Sequence, residues 1–295
     1  MQPRVLNVLS LLAIVAGVLG GGSRQTFAAL LPGDVAVIGV YTDGTTTDAT
    51  GGGDSFAWVP LVNLSAGEVI HFSDTGYFAS KATNNGFGDT EGLLTFTVPA
   101  GGIAAGVVQT ASNDTAPNSL SLQDLATAGT GYTTGTSGYS AGGHINLSAA
   151  GDQLVVFQDS DVSDTAGFSA IFAVTTASSK WDPDDGVLED DSNQTGLYVG
   201  LADGVNAVAA GAGPNQQDEF DNVRYVGPTT GTQASLLASI ANVNNWEGTD
   251  DDQLAPTRDW SRNGVAQFAI VPEPTTVCLL GAAIVCLGIF DRQRR

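Results

Sequence analysis

Ten consecutive residues hold the densest set of hard oxygen ligands in the chain. Asp182-Pro183-Asp184-Asp185-Gly186 is followed shortly by Glu189, Asp190 and Asp191. Ca²⁺ takes about 6–8 oxygens, commonly from such loops. EF-hand spacing is not met, because Gly186 stands one place early after Asp182 and Asp184. Asp182, Asp184 and Asp185 are the predicted calcium ligands, and calcium is the one cofactor the sequence suggests. The competing reading is a solvated acidic loop. It applies equally to Asp159-Ser160-Asp161 with Asp164, to Asp218-Glu219 with Asp221, and to Asp250-Asp251-Asp252. Trp181 directly precedes the first cluster, and Trp260 also stands among polar neighbours. Both are predicted to be exposed platforms on which sugar rings could stack.

Acid–base chemistry has fewer footholds. His71, Ser73 and Asp74 lie close together, but a hydrolase needs nucleophile, base and orienting acid to converge in space. On a strand, His71 and Ser73 share a face while Asp74 falls at the strand end. His144, between glycines and Ile145-Asn146, reads as a loop or strand-edge residue. The chain has two histidines and no Gly-x-Ser-x-Gly elbow. A glycosidase needs two carboxyls about 5–10 Å apart across a cleft, and 31 acidic residues are too many to narrow to a pair. No catalytic residue is assigned, and the expectation is a protein that is not an enzyme.

The elements that must position these groups are mostly strands. Gly numbers 38 of 295 residues, about twice its usual ~7% share, and Thr, Ser, Asp and Asn abound. That is turn chemistry. Strand-length apolar runs fall at 34–41, 56–63, 68–72, 93–98, 107–111, 153–157, 168–174, 197–201, 223–226 and 265–271. One segment, 232–242, has a helical period, with Leu236, Leu237 and Ile240 on one face and Thr232 as N-cap. The stretches 42–54 and 127–143 read as surface loops. The predicted class is mainly β, a β-sandwich with one short helix.

Charge restricts the partners. The chain carries 31 acidic against ten basic residues, a formal net charge of −21. Such a surface repels nucleic acid and anionic lipid and attracts cations. Nucleic acid is excluded as a partner. Both cysteines, Cys278 and Cys286, lie near the C-terminal end, so the body relies on its core without disulfides.

Both ends read as targeting segments. Residues 1–29 combine Arg4, an uncharged apolar stretch and the small-residue site Thr26-Phe27-Ala28-Ala29, the pattern of a signal peptide. At the other end, Val271-Pro272-Glu273-Pro274 precedes an uncharged run, 275–290, and then Asp291-Arg292-Gln293-Arg294-Arg295. As a helix the run spans roughly 24 Å, marginal against a hydrocarbon core of ~30 Å. Pro272 and Pro274 disfavour helix and keep the preceding stretch extended. Arg292, Arg294 and Arg295 would remain cytoplasmic. This tripartite end, 271–295, resembles the PEP-CTERM sorting signal of Gram-negative bacteria. The resemblance implies export, transient inner-membrane anchoring, recognition by an exosortase, cleavage near Pro-Glu-Pro, and delivery to the cell surface or its matrix.

Between the ends, 30–270 forms the secreted body. It contains Leu31-Pro32-Gly33-Asp34-Val35-Ala36, Phe56-Ala57-Trp58, Ala66-Gly67-Glu68-Val69-Ile70-His71-Phe72-Ser73-Asp74-Thr75-Gly76-Tyr77, Gly151-Asp152-Gln153-Leu154, Asp221-Asn222 before Tyr225, and Asn245-Trp246. This succession resembles a module of secreted bacterial surface proteins, with Tyr77 standing where that module usually has Trp. The region 54–76 is also similar to the lamin-tail type of immunoglobulin-like sandwich. Neither resemblance carries catalytic residues. The expected function is an exported surface or extracellular-matrix protein associated with exopolysaccharide, as in a biofilm. The alternatives are a calcium-dependent carbohydrate-binding adhesin and, third, a secreted hydrolase.

Overall fold

The computed structural model describes residues 29–42, 55–79, 86–87, 91–112, 132–134, 145, 147–148, 150–182, 195–212, 219–250 and 267–273. Among these the chain is mainly β. In order come β1 (Val35–Tyr41), β2 (Ser55–Pro60), β3 (Val69–Ser73), β4 (Leu93–Thr97), β5 (Gln109–Ser112), β6 (Tyr132–Thr134) and β7 (Gln153–Gln158). Then follow β8 (Ser169–Thr175), β9 (Ala207–Ala209), β10 (Asn222–Tyr225), β11 (Thr230–Gly231), helix α1 (Gln233–Ile240), β12 (Trp246–Thr249) and β13 (Ala269–Ile270).

The strands build two large sheets. One has the order β12-β10-β1-β2-β5 and is antiparallel throughout. The other runs β6-β4-β3-β7-β8-β9, antiparallel except for the last pair. Large rings join them. Trp58 of β2 meets Phe72 of β3 at 5.5 Å and Phe96 of β4 at 5.1 Å between ring centroids, and Phe56 meets Phe72 at 5.0 Å. Val35, Val37, Leu154, Val156 and Ile171 belong to the same buried cluster. Burial of that many large apolar side chains is the main favourable term in the fold.

The six-stranded sheet is covered on its other face too. Val155, Phe157, Ala170, Ala173 and Ala207 point away from the shared core into a second cluster, closed by Tyr77, Phe87, Leu93 and Tyr198. A strand buried on both faces shows an apolar run instead of alternation, which explains β7 and β8. A bulge at Val156/Phe157 leaves Ile171 unmatched in the register. Ile171 and Phe172 therefore both enter the shared core.

Helix α1 begins where its cap predicts. The Thr232 side chain accepts a hydrogen bond from Ser235 N, and Leu236 and Ile240 are buried. Leu237 packs over Gly33, whose φ of 91° is closed to most side chains. The chain then turns through Val243–Asn245, capped by Asn242.

The structure differs from the sequence expectation in several elements. The run 197–201 is not a strand but a turn, closed by Leu201 N–H on the Tyr198 carbonyl at 3.1 Å. Leu197, Tyr198 and Leu201 serve the outer cluster, and Tyr198 is fully buried, while Val199 is exposed. The stretch 127–143, expected as loop, contains β6, whose Tyr-Thr-Thr sequence suits a strand. Strands β9, a three-residue Ala-Val-Ala run, and β12, Trp-Glu-Gly-Thr, lie outside the expected strand segments. Of the expected loop 42–54, only Thr42 is described, bonded to Asp221 O through both its N–H and its hydroxyl. No helix among the described residues is long and apolar enough to cross a membrane. The expected signal peptide, Ala29 apart, and the expected span 275–290 lie outside the described residues.

Candidate functional site

The outer cluster of the six-stranded sheet ends in a rim that brings an aromatic ring and a carboxylate to the surface together. Trp181 follows β8 by six residues and packs its half-buried ring against the cluster. Its ring centroid lies 6.4 Å from that of Tyr198, in a T-shaped pair with an interplanar angle of 81°. The indole Nε1–H donates to Asp203 Oδ1 at 2.9 Å, in an exposed position.

Asp203 owes its placement to a short turn between Leu201 and β9. Ala202 N–H donates to Asn206 Oδ1 at 2.6 Å, and the N–H groups of Val205 and Asn206 both donate to the Ala202 carbonyl. Gly204, at φ 72°, donates to Ala207 O at 2.9 Å. Buried Asn206 thus closes the turn with its side chain, as an Asx-type residue does. Val199 and Val205, 58% and 55% exposed, lie on this segment.

Asp182, the first predicted calcium ligand, adjoins the rim. It is half-buried, and its N–H donates to Thr195 O at 2.9 Å. Asp184 and Asp185 lie outside the described residues, as does Trp260. Among the described residues no group of three or more His, Cys, Asp or Glu could hold a metal ion. The loop of Asp159, Asp161 and Asp164 turns its carboxylates on its own backbone. Asp159 Oδ1 accepts from Asp161 N–H, Asp161 Oδ1 from Ser163 N–H, and Asp164 Oδ1 from Ala166 N–H, at 2.8–3.1 Å. Bonds from Ser163 hold the Asp161 carboxyl below its usual range.

His71, Ser73 and Asp74 are brought near one another but are directed elsewhere. His71 Nε2 lies 3.2 Å from the Asp159 carbonyl, which can only accept, so Nε2 carries the hydrogen. Nδ1 then accepts from the Thr95 hydroxyl at 2.9 Å. Burial lowers the histidine's pKa, partly opposed by the Asp159 carbonyl and the Asp159 charge. Ser73 Oγ donates to Gly92 O at 2.7 Å and accepts from Thr75 N–H. Asp74 Oδ1 accepts from Gly92 N–H at 2.6 Å, so it ties down a loop 18 positions away. All three are buried.

Sequence reasoning passed over one polar group, Asp152. This residue is 2% exposed. Its Oδ2 accepts from Ser148 N–H and its Oδ1 from Gln153 N–H, both at 2.7 Å, and its own N–H donates to Thr176 Oγ1. Gly151-Asp152 announced a strand but gave no sign of burial.

At the C-terminal side, β13 pairs in parallel with β11. Phe268 is buried and stacks on Tyr225 at 6.1 Å. Ala269 N–H donates to Thr229 O and Val271 N–H to Gly231 O, both at 2.8 Å. Pro272 and Glu273 follow immediately and are exposed. Pro274, Arg292, Arg294 and Arg295 lie outside the described residues. Comparison with protein-family models, curated proteins and solved structures yields no match to this chain.

Proposed function

We propose that this chain is an exported, non-catalytic protein of the cell surface or extracellular matrix, a β-sandwich body sorted by exosortase processing and associated with exopolysaccharide. The observation that carries the sorting part is the junction at Val271. The last described main-chain bond of the body joins Val271 to Gly231, and the Pro-Glu-Pro motif begins at the next residue, exposed. A processing enzyme working there would meet accessible chain without disturbing the folded body. At the other end, Leu30 is nine-tenths buried and its N–H donates to Gln158 Oε1 at 2.8 Å, which supports a body that includes the first residue after the expected leader. A non-catalytic role is supported by the commitment of His71 and Ser73 to structural hydrogen bonds.

The test is fractionation of an exosortase-bearing host that expresses the full chain. The native sequence should reach the exterior in a form shortened at its C-terminal end by mass. Replacing Pro272, Glu273 and Pro274 by Ala should leave it full-length in the inner membrane. Equal export of both would sink the sorting reading.

A second reading, a calcium-dependent carbohydrate-binding adhesin, is favoured by one observation: the Trp181 ring is anchored at the surface by Asp203 beside Asp182. Under it, millimolar Ca²⁺ raises the melting temperature by mass action, and Asp184→Ala with Asp185→Ala removes the rise. An unchanged melt with Ca²⁺ would count against this reading.

A further inference from the structure

We infer that the Trp181–Asp203 rim recognises an amine-bearing polysaccharide, a glucosamine polymer with free amino groups; this deepens the adhesin reading and rests on it. Three observations lead there. The ring is fixed before any ligand arrives: its N–H is tied to Asp203, it forms a T-shaped pair with Tyr198, and Asp203 stands on a turn closed by Asn206. A preorganised aromatic surface binds without the cost of ordering its side chain.

The second observation is chemical. An indole face attracts a cation through its quadrupole and covers apolar surface as well. A carboxylate has about four lone-pair sites, and the indole N–H takes one at Asp203, which is exposed. A pyranose offers an apolar C–H face to the ring, and a protonated amine on that sugar offers the counter-charge. Exposed Val199 and Val205 extend the apolar surface along the same segment.

The third is charge. A chain at −21 repels uronic-acid, sulfated or phosphorylated polymers and draws in cationic ones. Asp182 adds to this at the rim itself, while the exposed Lys180 is the one basic neighbour in sequence and works against it.

The test is a titration of the purified full-length chain, followed by tryptophan fluorescence and calorimetry. The probes are a glucosamine tetramer, its fully N-acetylated counterpart, an uncharged glucan of equal length and oligolysine. The glucosamine tetramer should bind saturably and more tightly than the other three, and less tightly as salt rises. Trp181→Ala and Asp203→Asn should each weaken it roughly tenfold or more, the scale of losing one anchoring contact. Lys180→Gln leaves the rim's hydrogen bonds intact and should tighten it. Equal binding of the N-acetylated or uncharged probe overturns the amine assignment while leaving the adhesin reading standing. Preferred binding of oligolysine overturns the polysaccharide assignment. No binding by any probe, or binding untouched by the rim variants, overturns the inference, and none of these outcomes bears on the sorting experiment.

Discussion

Asp152 and Asp74 share one buried neighbourhood, bridged by Gln153. The Gln153 main-chain N–H donates to Asp152 Oδ1 at 2.7 Å, and its side-chain amide donates to the Asp74 carbonyl. Neither aspartate is more than 2% exposed. Burial, then the charge of Asp74 and more weakly that of Glu91, hold the Asp152 carboxyl well above its usual range, against two main-chain N–H bonds that lower it.

A pH dependence follows with a definite sign. The folded Asp152 binds its proton more tightly than the unfolded chain, so its contribution to stability is fully present below the unfolded value of 3.8. It is lost as pH rises from there through the raised folded value. Asp152→Asn cannot ionise and should flatten this part of the curve, while forfeiting the bond from Ser148. Denaturant melts of both proteins at pH values rising from about 4 read the difference in slope.

His71 acts in the opposite sense. Its folded pKa lies below the unfolded 6.5, so the unfolded chain binds the extra proton. Stability from neutral His71 is present above 6.5 and lost as pH falls through the depressed value. His71→Gln should remove that acid-side loss, and an NMR titration should show the imidazole less than half protonated at pH 6.5. An imidazole already half protonated there would contradict the assigned burial.

Trp58 is the main rivet between the two large sheets, touching rings on both β3 and β4. Trp58→Ala should cost about 3–5 kcal/mol of stability by equilibrium denaturation, the usual range for a fully buried aromatic. Trp58→Phe should cost clearly less, because the ring contact with Phe72 survives.

Gly106 takes φ 85°, and a Cβ there would fall 2.2 Å from the Phe268 carbonyl oxygen. That close approach is what lets Gly106 O accept from both Gln267 and Phe268 N–H at 3.1 Å. Gly106→Ala should cost about 1–3 kcal/mol. It should also speed hydrogen exchange at Ala269 and Val271 before the rest of the body responds.

How far the sequence foretold this arrangement varied by residue. The strands around Val37, Phe72, Val155 and Ile171 announced themselves, because burial leaves an apolar run whichever face is covered. Thr232 announced α1 through its capping chemistry. Strands β9 and β12 did not, since alanines and a Trp-Glu-Gly-Thr run gain strand geometry only from the neighbours they pair with. The polar company of Trp181 suggested an exposed platform, whereas its ring is half-buried, and its partner Asp203, 22 positions away, was not legible. The burial of Asp74 and Asp152 was illegible for a related reason. Local sequence marks an aspartate as a turn former, and only the packed loops decide whether water reaches it.

The anchoring of β13 makes the body a mechanical fitting as well as a fold. Any pull transmitted through Pro272 reaches the pairs Val271–Gly231 and Ala269–Thr229 before it reaches the sheets. Behind those pairs sits Phe268, wedged against Tyr225. A tether on that end would have to strip both bonds and extract an aromatic plug before either large sheet felt the load.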